Sequence, residues 1–389
     1  MRYQMYVPTQ VVFGCGTVKQ LHRQKLPGSR ALLVISNGQA MKESGALETV
    51  KTELHQADVN VFLFDRVQAN PTRATVMDGA LAAHENQCDC IVALGGGSVI
   101  DAAKAIAALA VNSGDYWDYV SSGTGKGKAL THRPLPVVAI PTTAGTGSET
   151  DAACVITHED THEKTGFGNP MLFPVLAIVD PELMKTVPPL LTAYQGFDAL
   201  FHSVECYISK KASDMSDLYA EAAIERISAY LPAAVRDGEN MKAREQVAFA
   251  STLSGSVMTI SGCISEHSLE HAMSAYHPDL PHGAGLLMIS EAYFAHFTRC
   301  RVCDERFIRM ARLMGNHDAS APEDFLKALH HLMQGCGVDR LNMSDYGICP
   351  DEFSAMAQNA QITMGRLFQN DPAPLRAADC ISIYQRSYQ

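Results

Sequence analysis

Residues 90–104 read Cys-Ile-Val-Ala-Leu-Gly-Gly-Gly-Ser-Val-Ile-Asp-Ala-Ala-Lys, and this stretch decides the fold class. The apolar run 90–94 predicts a buried strand, Gly95-Gly-Gly-Ser98 a tight turn, and the residues after it a helix that carries Asp101 and Lys104. Glycines in such a turn let backbone amides approach a phosphate, which the helix N-terminus favours. The spacing is neither the GxGxxG fingerprint nor a Walker motif. Taken alone, the tract is explained equally well by a phosphate site and by a turn without a ligand.

Further short apolar runs alternate with helical patterns on both sides of this stretch. Strands are expected at 31–35, 59–64, 136–140 and 175–179, with a helix at about 41–57. This alternation predicts βαβ units and a mainly parallel sheet. The run 136–140 leads into Pro141-Thr-Thr-Ala-Gly-Thr-Gly-Ser148, a second loop of small hydroxyl residues. Ligands bind at the carboxyl ends of parallel strands, so the two loops together favour a dinucleotide.

The end of the first of these strands bears on the type of dinucleotide. An acidic residue that reads the ribose often stands at such a position, but this chain has Ser36-Asn-Gly38 there. Nothing at Gly38 would repel a 2′-phosphate, and no adjacent arginine would grip one. NAD and NADP therefore both stay open, with a lean toward tolerance of NADP.

The pattern changes after Pro188-Pro189, since helical periodicity continues from there to the C-terminus and strand-like runs nearly vanish. A chain of 389 residues is also too long for one ordinary core. We expect two domains, an α/β dinucleotide-binding domain at 1–187 and an all-helical metal-binding domain at 188–389.

Two short segments of the helical half hold candidate metal ligands. Asp198 and His202 lie four residues apart, as do His267 and His271, so each pair shares one face of a helix. His282 follows in Pro281-His-Gly283. One carboxylate with several imidazoles suits a divalent transition metal such as zinc or ferrous iron. The segment is not a zincin motif, which needs Glu where Ser268 stands.

Bulk composition excludes several classes of protein. A net charge of −11 argues against a nucleic-acid surface and against an anionic membrane. Eleven cysteines without a regular framework favour free thiols in a reducing compartment. The N-terminus has no apolar segment of signal-peptide length, and no run approaches the ~20 residues of a membrane span. The sequence therefore predicts a soluble, cytoplasmic protein.

These ordered motifs resemble those of the iron-dependent (group III) alcohol dehydrogenases over essentially the full length of the chain. The resemblance is carried by Phe13-Gly14, Asn70-Pro-Thr72, Gly95–Asp101, Pro141–Glu149, Asp180-Pro181, Gly196–Glu205, the His267/His271 segment and Pro281-His-Gly283. It implies a dehydroquinate synthase-like architecture: an α/β dinucleotide-binding domain with a mainly parallel sheet, followed by an all-α domain.

The resemblance also implies roles for individual residues. The metal ligands would be Asp198, His202, His267 and His282, and His271 would be the histidine near the nicotinamide. The nucleotide would contact the two loops and two positions in flanking segments. The residues are Gly96, Gly97, Ser98 and Asp101, then Thr142, Thr143 and Thr146, then Asn70 and Lys164. The extra histidine His277 could offer a competing ligand.

The implied activity is metal-dependent, NAD(P)-linked alcohol oxidation or aldehyde reduction, with iron or alternatively zinc as the Lewis acid. His271 either relays a proton or merely supports the ligands. Neither 196–208 nor 262–285 contains Lys or Arg, which favours a small uncharged alcohol or aldehyde over a phosphate. The alternatives are a glycerol or polyol (phosphate) dehydrogenase and a non-catalytic metal- or nucleotide-binding protein. A homodimer or higher homo-oligomer is expected.

Overall fold

The computed structural model describes residues 3–388, and the chain divides into two compact units. One unit comprises Val7–Thr186, and the other comprises residues 187–388 together with the short segment 3–6. The first unit contains every strand found in the described part of the chain, and the second is built from helices. The fold class expected from the sequence, an α/β half with a parallel sheet followed by a helical half, is confirmed.

The first unit is organised around a six-stranded parallel sheet in the order β1-β8-β5-β4-β2-β3, with a separate antiparallel pair β6-β7. The chain leaves β2 toward β3 and leaves β4 toward β5, in opposite directions along the sheet. The carboxyl ends of β2 and β4 therefore flank the point where the strand order reverses, which is where open α/β sheets bind ligands. The strands are β1 Gln10–Phe13, β2 Arg30–Ser36, β3 Asn60–Val67, β4 Cys90–Gly95, β5 Val137–Pro141, β6 Ala153–His158, β7 Glu163–Gly168 and β8 Leu176–Val179.

Both faces of the large sheet are buried, which explains why its central strands are continuous apolar runs. Leu32 and Val34 of β2 point into one core, and the alternate residues Leu33 and Ile35 point into the other. All four side chains are at most 1% exposed. Full burial of such a side chain contributes about 1.5–3 kcal/mol, so the sheet is held firmly between its two helical layers.

The helices of the first unit are α1 Ala40–Glu43, α2 Ala46–Gln56, α3 Arg73–Glu85 and α4 Gly97–Leu109. The single helix expected at about 41–57 is wrong, because the chain breaks at Gly45. That residue has φ of 76°, a left-handed conformation that glycine adopts without steric cost. The apolar periodicity continues across the break and hides it from a pattern-based prediction.

The hairpin β6–β7 lies in a region where the sequence predicted no strand, and the polar composition of residues 158–163 is typical of a solvated loop. Glu163 is instead buried. Its carboxylate accepts hydrogen bonds from the Thr124 amide at 3.0 Å and from the Trp117 indole at 3.1 Å. These bonds also fix the Gly- and Ser-rich segment 121–128, which by composition alone predicts a flexible loop.

The second unit packs helices against one another, and close contacts need glycine at two positions. A methyl group at Gly196 would lie 2.2 Å from the Leu231 side chain, and one at Gly283 would lie 2.2 Å from the backbone oxygen of Tyr194. The helices are α5 Pro189–Ile208, α6 Asp214–Arg236, α7 Met241–Ser261, α8 Glu266–Tyr276, α9 His282–Arg299, α10 Asp304–Leu313, α11 Glu323–Cys336, α12 Phe353–Thr363, α13 Gly365–Phe368 and α14 Ala377–Ser387.

No single helix within residues 3–388 combines the length and apolar character that crossing a bilayer requires. Only α7 and α8 taken together meet that criterion of length and composition, and they are bent by 110° relative to each other. All eleven cysteines lie in the described part of the chain, and each is a free thiol.

Candidate metal centre and nucleotide loops

Three helices of the second unit bring the four predicted metal ligands to one place. Helix α5 carries Asp198 and His202 one turn apart on the same face, and α8 carries His267 in its first turn. Helix α9 begins at His282, directly after Pro281, and Gly283 lets its first turn approach the α5 backbone at Tyr194. The position of His282 therefore depends on the close packing of α9 against α5.

The Asp198 carboxylate is the common neighbour of the three imidazoles. Its Oδ1 atom lies 3.6 Å from His202 Nδ1, 3.5 Å from His267 Nε2 and 3.4 Å from His282 Nε2. Donor atoms around a tetrahedral ion with bonds of about 2.1 Å are separated by about 3.4 Å. The three distances from Asp198 Oδ1 thus match the separation expected between two ligands of one first-row divalent metal.

Unsatisfied buried atoms support the same conclusion. Asp198 Oδ1 and His267 Nε2 are buried and have no hydrogen-bond partner. Leaving such groups unpaired costs about 1–3 kcal/mol each, so native proteins rarely do it without a ligand to receive them. His202 stacks on His267 with ring centroids 4.2 Å apart, which keeps the donor atoms on one side of the cluster. The residues present fit a bound ion.

Two glutamates hold the ligand imidazoles, and the sequence analysis assigned neither of them a role. Glu205 accepts a hydrogen bond from His267 Nδ1, and Glu270 accepts one from His282 Nδ1. Each bond fixes the tautomer that leaves Nε2 for the metal. The available signal was a repeated pattern, His-Ser-x-Glu, which occurs at 202–205 and again at 267–270.

The electrostatics of the ion-free cluster favour a charged carboxylate with protonated imidazole. Burial raises the pKa of Asp198, but His202, His267 and His282 outweigh that effect and hold it well below its usual range. Burial lowers the pKa of His267, but Glu205 and Asp198 together raise it well above its usual value. An incoming cation must displace such protons, so metal binding should weaken as the pH falls.

Glu266 is a third buried carboxyl group beside the cluster. Both of its oxygens are buried without a hydrogen-bond partner, and burial followed by repulsion from Glu205 raises its pKa well above its usual value. Burial therefore favours the neutral form of Glu266.

The remaining two histidines of this region occupy different surroundings. His271 is buried one turn after His267, and its ring centroid lies 5.3 Å from that of His282. His277 Nε2 lies 3.1 Å from both carboxylate oxygens of Glu352, and it belongs to none of the candidate metal groups found among residues 3–388. The structure thus gives His277 a partner of its own.

The two predicted nucleotide loops follow adjacent strands of the first unit. Gly95 at the end of β4 pairs with Pro141 at the end of β5, and the Thr142 amide donates to the Gly95 carbonyl at 3.0 Å. A methyl group at Gly97 would lie 2.3 Å from the Thr146 side chain. This glycine is therefore required for packing of one loop on the other. Gly96 meets Thr143 in the same way.

Amides at the start of α4 remain the best candidates to bind a diphosphate. Gly97 and Ser98 are the first two residues of this 13-residue helix, and first-turn amides have no acceptor within their own helix. Gly96 and Ser98 are partly exposed at the edge of the sheet. Anionic groups are stabilised at such a position.

Asp101 and Lys104 form a buried network beneath these loops. Asp101 accepts hydrogen bonds from the Ser148 hydroxyl at 2.5 Å and from the Val155 amide at 2.8 Å. The Lys104 ammonium group donates to Ser148 Oγ, to Asp151 Oδ1 and to the Ala153 carbonyl, each at 2.8 Å. Both Asp101 oxygens are engaged within the protein, so a direct contact of Asp101 with the nucleotide stays a prediction.

The other predicted cofactor contacts lie at strand and loop ends of the same unit. The buried Lys164 ammonium group lies 3.0 Å from Asn70 Oδ1, and Asn70 has a left-handed backbone with φ of 52°. Gly38 is exposed just beyond β2, and a methyl group there would approach nothing closer than 3.9 Å. The end of β2 is therefore open enough to accept a ribose with or without a phosphate.

Comparison with known proteins finds matches for both units of the chain. The sequence matches the iron-containing alcohol dehydrogenase family model over residues 8–181 and the C-terminal model of the Fe-containing alcohol dehydrogenase family over residues 192–388. The chain is 33% identical to the 1,3-propanediol dehydrogenase of Klebsiella pneumoniae over 400 residues, which covers 100% of both proteins. The chain belongs to the iron-containing alcohol dehydrogenase family.

Other members of the iron-containing alcohol dehydrogenase family match nearly as fully. The NAD-dependent methanol dehydrogenase of Bacillus methanolicus is 32% identical, with 91% of this chain and 92% of that protein covered. The crystal structure of the archaeal Red Sea brine pool alcohol dehydrogenase ADH/D1 superposes with a TM-score of 0.94 at 34% identity, covering 100% of this chain and 99% of that one. The chain is thus an oxidoreductase that acts on CH–OH groups, and its family implies a divalent metal and a nicotinamide nucleotide.

Proposed function

We propose that this alcohol dehydrogenase uses one divalent ion, held by Asp198, His202, His267 and His282, to interconvert a small uncharged alcohol and its aldehyde with NAD(P). The single observation that carries the proposal is the convergence of three imidazole nitrogens on Asp198 Oδ1 at 3.4–3.6 Å. A purely structural role does not explain a buried carboxylate among three imidazoles, because its Oδ1 atom has no hydrogen-bond partner.

When bound, the ion would polarise the substrate oxygen as a Lewis acid, and the nicotinamide would carry the hydride. The protein's own contribution is orientation. Glu205 and Glu270 hold the two imidazoles at Nδ1, which would leave Nε2 of His267 and of His282 to bind the ion. Iron is the proposed ion because of the family, and zinc suits the same donors.

His271 is the proposed proton carrier of the reaction. It is buried beside His282 but is not needed to complete the four-ligand set. An imidazole titrates near neutrality, so it can take the hydroxyl proton during alcohol oxidation and return it during aldehyde reduction. The variant His271→Gln should retain its metal while turnover falls and its pH dependence changes. An unchanged pH–rate profile would remove His271 from this role.

The nucleotide is proposed to bind the first unit through the start of α4 and the hydroxyl groups of the second loop. Gly96, Gly97 and Ser98 would receive the diphosphate, with Thr142, Thr143 and Thr146 beside it. The absence of an acid in 36–38 removes the usual discrimination against a 2′-phosphate. We therefore expect the KM values for NADH and NADPH to be closer to each other than they are in an enzyme with an acidic residue at the end of β2.

The substrate is proposed to be a short alcohol or aldehyde without charge. No Lys or Arg occurs in 196–208 or 262–285, the segments that supply the four ligands, so neither offers a cation for a phosphate or carboxylate. The names of two relatives, a propanediol and a methanol dehydrogenase, agree with small uncharged substrates.

Metal analysis of the purified chain, beside a screen of C1 to C4 alcohols and aldehydes with each cofactor, tests the proposal. We expect bound divalent metal, oxidation of NAD(P)H on addition of an aldehyde, and loss of that activity after chelation. Activity that survives complete removal of metal would overturn the proposed role of the ion. Preference for a phosphorylated polyol would instead overturn only the proposed substrate class.

A further inference from the structure

A cysteine thiol lies beside the metal cluster and has no part in the four-ligand set. The donor atoms of His202, His267 and Cys263 all lie within 4.8 Å of one another, and Cys263 is only 8% exposed. Asp198 and His282 form a second group with His267, and the donor atoms of this group also lie within 4.8 Å of one another. Two alternative sets of donors therefore share His267, one completed by a carboxylate oxygen and the other by sulfur.

The segment that carries Cys263 is fixed on both sides. Gly262 ends α7 with φ of 72°, and the Cys263 carbonyl accepts a hydrogen bond from the Asn370 side chain at 2.9 Å. The next amide, Ile264 N–H, donates to Glu205 at 2.8 Å, and Glu205 is the same carboxylate that holds His267. The thiol is thus positioned by the framework that positions a ligand, as is required for a preorganised site.

A second thiol supports the first. Cys206 on α5 is fully buried, and its sulfur lies 4.0 Å from the Cys263 sulfur. It is one helical turn beyond His202 but belongs to none of the candidate donor groups found among residues 3–388. A Cys206 S–H group at this distance can donate to a Cys263 thiolate and so stabilise a negative sulfur in a buried place.

We propose that Cys263 is an additional metal ligand, which with His202 and His267 forms a thiolate-containing position for a soft divalent ion such as Zn²⁺ or Cd²⁺. This inference rests on the proposed ligand role of the two histidines. Thiolate and imidazole suit zinc, whereas a carboxylate with imidazoles also suits ferrous iron. Because the two positions share ligands, one ion occupies the cluster at a time, and the choice between sulfur and oxygen donors depends on the metal.

Binding at this position is a proton exchange. The Cys263 thiol loses its proton to solvent as the sulfur–metal bond forms, and no electron is transferred. A coordinating cation deprotonates a thiol outright. Zinc binding by the natural chain should therefore release one more proton than zinc binding by Cys263→Ala.

Cobalt titration of the metal-free, full-length chain tests the proposal directly. Co²⁺ bound to a thiolate shows a sulfur-to-cobalt charge-transfer band in the near ultraviolet, which Co²⁺ bound only to nitrogen and oxygen lacks. We expect the band in the natural chain, its loss in Cys263→Ala and its retention in Cys206→Ala, the matched variant at the adjacent buried cysteine. Zinc affinity of Cys263→Ala should fall at least about tenfold, since even loss of a ligand's hydrogen-bond partner costs about 10–100-fold.

Bound cobalt without the charge-transfer band in the natural chain would overturn the inference, and so would a band that persists in Cys263→Ala. If that variant does not fold, X-ray absorption of the zinc-loaded natural chain decides the question, because a sulfur at about 2.3 Å from zinc is either present or absent. Failure here leaves the proposed function intact, since alcohol dehydrogenase activity and its loss after chelation are measured separately.

Discussion

Two buried polar clusters, one in each unit of the chain, differ in whether their hydrogen bonds are complete. In the first unit, the Lys104 ammonium group donates three hydrogen bonds and both Asp101 oxygens accept one. In the second unit, Asp198 Oδ1 and His267 Nε2 are buried without a hydrogen-bond partner. Each cluster combines acidic and basic groups, so composition alone does not distinguish them.

The difference separates scaffolding from ligand binding. A satisfied network gains nothing from an additional ligand, and it serves to hold the loops around it. A buried cluster with unsatisfied polar atoms is destabilised by the desolvation of those atoms, and a bound cation would offset that cost. The network around Lys104 therefore supports the two loops proposed to bind the nucleotide, whereas the cluster around Asp198 is the proposed ion site. Four experiments test this division.

Replacing His267 with alanine should have the largest effect. Loss of one of the four ligands should remove the ion and with it several kcal/mol of transition-state stabilisation, so turnover should fall by about a thousandfold or more. Metal content per chain and turnover at saturating cofactor measure both quantities. His277→Ala is the matched control and should retain its metal, because His277 pairs with Glu352 outside the cluster. Stoichiometric metal in His267→Ala would show that the ligand assignment is wrong.

Replacing Lys104 with methionine should damage the first unit while leaving metal content unchanged. Removing one partner of a buried ion pair leaves Asp151 uncompensated, which costs about 3–5 kcal/mol. The unfolding temperature should fall and KM for NAD(P) should rise, since the second loop loses its anchor at Ser148. Lys126→Met should change neither quantity, because the Lys126 side chain is exposed and its partner Asp118 keeps a second ion pair with Lys128. Loss of metal in Lys104→Met would contradict the division between the two clusters.

Replacing Glu205 with glutamine should weaken the metal site without abolishing it. The glutamine oxygen can still accept the proton of His267 Nδ1, but the negative charge is lost, and affinity should fall about 10–100-fold. Competition with a chelator measures the dissociation constant. Glu266→Gln is the matched control at a neighbouring buried carboxyl group, whose pKa is raised by burial, and it should bind metal as the natural chain does. If Glu205→Gln and Glu266→Gln bound metal with equal affinity, the charge of Glu205 would have no role in metal binding.

The smallest effect concerns the pH dependence of stability in the first unit. Burial raises the pKa of Asp101 from 3.8 to about 6. Because this pKa is higher in the folded protein than in the unfolded chain, protonated Asp101 contributes to the free energy of unfolding. The contribution is fully present below the pKa of Asp101 in the unfolded chain, and it is lost as the pH rises through about 6. The unfolding temperature of the natural chain relative to Asp101→Asn should therefore fall by a few degrees between pH 4 and pH 7. A constant difference over that range would show that Asp101 titrates normally.

Much of the fold could be predicted because local patterns determine it. The run 90–94 must be a strand between two buried faces, since all its residues are apolar and glycines follow directly. Prediction from the apolar pattern failed where a single residue or a contact between distant residues determines the local structure. Gly45 breaks a helix whose periodicity continues beyond it, and the hairpin β6–β7 depends on the burial of Glu163 against Trp117.

The site divides in the same way between local and long-range information. A spacing of four residues suffices to place Asp198 and His202 on one face of a helix. The pairing of His267 with Glu205 joins residues 62 positions apart, and only the tertiary fold of the second unit creates it. Likewise, the sequence around Asp101 resembles a nucleotide contact, but its carboxylate is engaged by Ser148, 47 residues further along the chain.

The contact at Gly283 has a consequence for how this enzyme can change. The residue after His282 needs a bare α-carbon because the Tyr194 carbonyl oxygen occupies the space of a methyl group. An alanine at position 283 would push the start of α9 away from α5. The His282 imidazole would then move away from the other ligands, although no ligand itself had been replaced. Descendants of this chain could thus lose their metal through a substitution that touches no donor atom, and repair would require the opposite helix to move as well.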